Sequence, residues 1–124
     1  MNFKIDTKEK FIEITLLEPT LSANMTGSIE ELFMPFLDAN NKNIVLSLFA
    51  VTEINKEVAE KIAAVQQRFY EENASFVCWG MQPAVEKIFG EENLLEQMNT
   101  APTLSEAWDI VQMEEIEREL LNDF

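Results

Sequence analysis

The spacing of apolar side chains changes period several times along this chain, and each change marks an element. Phe3, Ile5 and Thr7 alternate with Asn2, Lys4 and Asp6, and Ile12, Ile14 and Leu16 alternate with Glu13 and Thr15. A period of two sends successive side chains to opposite faces, so both stretches are predicted as half-buried strands, paired as a hairpin through a turn at Lys8-Glu9. Ile29, Leu32, Phe33, Phe36 and Leu37 then follow the i, i+3, i+4, i+7, i+8 rule, which predicts an amphipathic helix over 29–38 after a Ser28 cap. Pro35 sits inside that helix and, lacking a backbone N–H, should bend it. Asp38 to Lys42 reads as a turn. Asn43 to Phe49 is apolar at nearly every position, the pattern of a central strand covered on both faces.

The second half repeats the alternation of helix and buried strand. From Lys56 to Glu72 the set Val58, Ile62, Val65 and Phe69 marks one helical face, and Asn55 is placed to cap it. Ser75 to Trp79 is another buried run. Pro83 at a first helical position, Val85, Ile88 and Phe89 on one side, and Gly90 just beyond predict a two-turn helix, with 93–98 adding a further turn. Thr103-Leu104-Ser105-Glu106 has the S/T-x-x-E form of a capping box and should open a last helix. The predicted order is ββαβαβαα: an α/β fold with a mixed, mostly parallel sheet of four to five strands and an antiparallel hairpin at one side.

Composition removes most chemistry from consideration. The chain has 124 residues, 23 acidic against 9 basic side chains, a net charge of -14, no His, one Cys and three Gly. That length suits one domain, 1–124, and folding at this size hides roughly two thirds of the unfolded chain's surface, enough for a core without disulfide or metal. Without His there is no Ser-His-Asp or Cys-His pair and no imidazole base, and one Cys allows no CxxC. Gly27, Gly80 and Gly90 are too scattered for GxGxxG or a Walker-type phosphate loop. No catalytic residue, cofactor site or metal site is therefore assigned. A carboxylate-only enzyme is the one catalytic class left by residue type, and nothing singles out a pair. So acidic a surface repels phosphate backbones and anionic headgroups, so nucleic-acid binding and direct membrane insertion are not expected, whereas a basic protein partner suits it. The N-terminus has no signal-peptide run and no window approaches a membrane span, so a cytoplasmic protein is expected. Cys78 and Trp79 fall in a predicted buried strand, where a thiol behaves as a small hydrophobe.

Two stretches carry a resemblance to a known family. Ile44 to Thr52 (IVLSLFAVT) and the run GMQPAVEKIFGEENLLEQMNTAPTLSEAW, with its Gly-x-x-Pro, Val-x-x-Ile-Phe and Thr-x-x-Glu-Ala, resemble the STAS family of anti-sigma factor antagonists and sulfate-transporter tails, over roughly residues 1–113. The resemblance implies a STAS-like sheet and a non-enzymatic regulatory module. Its implied partner is an anti-sigma factor kinase, which in the family phosphorylates a hydroxyl in an Asp-Ser-Ser/Thr-Gly motif after the central strand. Here those positions read Asn55-Lys56-Glu57-Val58, with no hydroxyl, so the usual switch is expected to be absent and Thr52 is the nearest substitute. STAS domains also serve as small subunits of ATP-binding-cassette lipid transporters, a second implied role.

Thr52, Glu53, Asn55, Lys56, Glu57 and Glu60 are accordingly the candidate partner-binding residues, set against an ordinary capped helix start with Glu57 near the positive end of the dipole. A second candidate lies in the last helix, residues 103–124, expected to extend beyond the core. At about 100° per residue Leu104, Ala107, Trp108 and Val111 cluster on one side, while Met113, Ile116, Leu120, Leu121 and Phe124 cluster about half a turn away. Residues 104–124 hold seven acids and one base. Either the helix breaks near Gln112 and folds back, or the distal stripe docks on a partner groove or joins two copies as a homodimer.

Overall fold

The computed structural model describes residues 1–38 and 43–122, so the expected turn at Asp38 to Lys42 and the stripe residue Phe124 lie, wholly or nearly so, outside the described residues. Strands β1 (Phe3–Thr7) and β2 (Ile12–Leu16) form the expected antiparallel hairpin, closed by Lys8 N–H donating to the Phe11 carbonyl at 2.9 Å. Beyond them, β4 (Ile44–Ser47), β6 (Phe76–Trp79) and β7 (Thr100–Ala101) add in parallel, giving a five-stranded sheet in the order β1-β2-β4-β6-β7. A separate parallel pair, β3 (Thr20–Leu21) with β5 (Glu53–Ile54), lies outside that sheet. The long elements keep the expected order; β3, β5 and β7 are two-residue strands with too few positions to display a period.

The pleat divides the core in two. Ile12, Ile14 and Leu16 of β2, Ile44 and Leu46 of β4, and Phe76 and Cys78 of β6 face a cluster with α1 (Thr26–Phe33), α2 (Lys56–Glu71) and α3 (Pro83–Glu91). Phe76 meets Phe33 and Phe69 edge-on at 5.1 and 5.2 Å between centroids, a favoured aromatic geometry. The alternate residues Val45 and Val77 face Phe11, Ala101, Ala107 and Val111, a smaller cluster under α4 (Leu104–Asn122).

Several expected boundaries move, each for a local reason. The first helix begins at Thr26, fed by a 3-10 turn at Ala23–Met25, so Ser28 lies inside it instead of capping it. It tightens into 3-10 geometry over Met34–Asp38, where Pro35 removes a donor. Gly90 does not stop α3. The left-handed residue is Asn93 (φ 58°), with Leu94 N–H reaching the Phe89 carbonyl at 2.9 Å, and α2 ends in the same way at Asn73 (φ 60°) with Ala74 N–H on Phe69. Asn tolerates this conformation, so both helices close by a Schellman-type cap without glycine. At the fourth helix Thr103 Oγ accepts from Glu106 N–H at 3.2 Å, while the Glu106 carboxylate lies 3.3 Å from the Thr103 hydroxyl instead of turning back to its amide. Phe49, expected within the central strand, lies beyond its end, is exposed, and leans on Trp79.

The last helix does not break at Gln112: α4 runs unbroken to Asn122. Its inner face stays turned toward the sheet but changes chemistry. Past Val111 it presents Glu114, Glu115 and Arg118, whose partners sit at the starts of three strands. Asn99 Nδ2 donates to Glu114 at 2.9 Å, Asn43 Nδ2 donates to Glu115, and Arg118 donates to Ser75 Oγ at 3.1 Å and Asn43 Oδ1 at 3.3 Å. Hydrogen bonds thus continue the seam where the apolar sheet face ends, and Met113, Ile116, Leu120 and Leu121 are left pointing outward.

Candidate functional site

The loop after β4 is held by its neighbours on both sides. Gly80 takes φ 77°, and a Cβ there would come within 3.3 Å of Phe49 Cβ, so glycine lets the β6 end pass close to that loop. Gln82 Nε2 donates to the Phe49 carbonyl at 2.7 Å. On the other side the Pro19 carbonyl collects Thr52 N–H at 2.8 Å, Glu53 N–H at 3.0 Å and the Thr52 hydroxyl at 3.0 Å, and Asn55 N–H donates to Leu21 at 2.9 Å. These bonds form the β3/β5 pair and fix where α2 starts. Asn55 Oδ1 then accepts from Glu57 N–H at 2.8 Å, the N-cap expected from the sequence.

A groove of about 570 Å³ opens between this pair and α3. Thr52, Glu53 and Asn55 line it from one side, Thr20, Leu21 and Ser22 from beneath, and Ala84, Lys87, Ile88 and Glu91 from α3. Of the six candidate partner-binding residues, the first three therefore share a concave wall. Lys56, Glu57 and Glu60 stand exposed on the first turns of α2 beside it and do not line it. The α3 wall escaped sequence reading, although Ala84, Lys87, Ile88 and Glu91 do repeat at helical spacing. Residues 20–22 carry no local signal, because their pairing with 53–54 is made entirely by the return of the chain.

Charge on the rim is mixed and solvated. Lys87 pairs with Glu91 one turn on at 3.8 Å, an exposed pair that adds little to stability. Lys56 has no acidic partner within ion-pair distance among the described residues. Cys78 is fully buried on the face of β6 that α1, α2 and α3 cover, and desolvation pushes its thiol up from 9.0 to about 12, so it is inert at neutral pH. Among the described residues no three His, Cys, Asp or Glu side chains are grouped to hold a metal ion, and no helix is long and apolar enough to cross a membrane.

This architecture has close counterparts among solved structures. An anti-sigma factor antagonist from Mycobacterium paratuberculosis superimposes with a TM-score of 0.78 at 15% identity, covering 90% of this chain and 93% of its own. The serine-to-glutamate variant of Moorella thermoacetica RsbS gives 0.75 at 22% identity, over 95% of this chain and 99% of its own. An anti-sigma-factor antagonist (STAS) domain protein from Planctomyces limnophilus gives 0.66 at 14% identity, over 89% and 97%. The chain has the STAS fold. No family model and no curated protein sequence matches it, so the likeness shown is one of fold. Within this STAS fold the groove lies where the central parallel strand β4 hands over to α2, an end of the sheet where α/β folds place their ligands.

Proposed function

We propose that this chain is a non-enzymatic, cytoplasmic regulatory module of the anti-sigma factor antagonist kind, a single STAS-like domain that works by occupying a partner protein. The partner face comprises Thr52, Glu53, Asn55, Lys56, Glu57 and Glu60, with the groove beside them. One observation carries this reading: a loop tied down at Pro19, Leu21 and Gln82 presents an exposed, capped helix start next to a concave wall. A surface fixed before binding loses little conformational freedom on association, which favours recognition. The fold relatives described as anti-sigma factor antagonists support the regulatory class. The same helix start reads Asn-Lys-Glu-Val and offers no hydroxyl, so the module acts without a phosphoacceptor at 55–58 and is controlled by the availability of its partner.

The test is capture of partners by the tagged full-length chain in its native host. The expected partner is an ATP-binding kinase-like anti-sigma factor, and the double charge swap Lys56→Glu with Glu57→Lys should weaken its capture about tenfold, equivalent to roughly 1.4 kcal/mol. Recovery of a membrane-embedded permease complex instead would replace this reading with that of a lipid-transporter subunit. Full retention of the partner by the swapped variant would move the contact away from α2.

A further inference from the structure

The outward face of α4 is apolar without serving the fold. Met113, Ile116 and Leu120 are 60%, 56% and 56% exposed and Leu121 is 74% exposed, although α4 is docked by the opposite face as far as Arg118. Spacings of three and four residues put Met113, Ile116 and Leu120 on one line, opposite Ala107 and Val111. Isolated exposed apolar residues are ordinary, but a line of large ones over two turns marks an interaction surface.

Charge decides what covers it. Asp109, Glu117 and Glu119 flank the line and are all exposed. The only base in the helix, Arg118, is turned inward onto Ser75 and Asn43, so the outer face offers carboxylates alone. A second copy laid against this face would set glutamates against glutamates and bring two chains of net charge -14 together, which like-charge repulsion opposes. An anionic membrane is excluded by the same sign. We propose that the outer face of α4 docks a basic amphipathic helix of a partner protein, its apolar residues seated on Met113, Ile116 and Leu120 and its Lys or Arg side chains over Glu117, Glu119 and Asp109. Because α4 covers the sheet face opposite α2, this surface is separate from the groove and both can be occupied at once.

The test uses the full-length chain and a designed helical peptide of Leu and Lys, with the leucines on one face. A control peptide of the same composition has the leucines scattered round the helix. Calorimetric titration should show the amphipathic peptide binding at least about tenfold more tightly than the control, with affinity falling as salt is raised. The variant Met113→Ser, Ile116→Ser, Leu120→Ser keeps every charge and should lose about tenfold of that affinity, with its thermal midpoint unchanged. Equal binding of both peptides would mean that charge alone attracts them and would overturn the proposal. So would undiminished binding by the serine variant, or a dimer of the free full-length chain that the serine variant converts to a monomer.

Discussion

The two faces of the sheet are covered by opposite strategies. On one, three helices close over Ile14, Leu46 and Phe76 with continuous apolar stripes, and the core is bounded only by the length of the strands. On the other, a single helix covers Val45 and Val77 for about two turns and then changes to Glu114, Glu115 and Arg118, which bond to residues lying just before three strands. The difference teaches that a helix longer than the sheet beneath it need not bend or fray. Its inner face can follow the substrate it lies on, apolar over side chains and polar over strand ends, and this leaves its outer face free for binding.

That contrast can be broken from either side. Phe76→Ala removes the ring on which Phe33 and Phe69 converge and should cost about 3–5 kcal/mol, read from urea unfolding. Arg118→Ala deletes the bonds to Ser75 and Asn43 and should cost less, about 1–3 kcal/mol. Its amide exchange should accelerate selectively beyond Val111; uniform protection along α4 would show that the polar seam is not what holds the distal half. The smallest effect is expected at Ser47, whose buried hydroxyl lies on the α4 face beside the Trp79 indole, both without a hydrogen-bond partner among the described residues. Ser47→Ala should change stability by less than about 1 kcal/mol, toward greater stability, because it removes an unsatisfied buried group.

Much of the scaffold was legible from periodicity. The hairpin, the two buried parallel strands, the Asn55 cap and the helix starts at Pro83 and Leu104 all rest on local rules and stand where those rules put them. The helix ends were less legible than the helix starts. Gly90 read as a helix stop because glycine tolerates left-handed backbone, yet Asn93 and Asn73 take that role where the following chain must turn back toward the core. At the candidate site, Thr52 to Glu60 could be named only through the resemblance to the STAS family, and the groove could not be named at all, since its floor comes from residues 20–22 and its far wall from α3. In α4 the two apolar stripes were visible; the continuity of the inner face through Glu114, Glu115 and Arg118 was not, because a hydrophobic count passes over polar residues that face inward.

By itself, then, the sequence determined the order of the long elements, the buried strands, the caps and an acidic surface without catalytic vocabulary, all of which follow from side-chain type and spacing within a few residues. Only the tertiary structure decided the short strand pairs, the concave wall beside α2 and which stripe of α4 meets solvent. Those depend on residues tens of positions apart being brought together, and on where the sheet ends beneath a helix. No local pattern encodes either one.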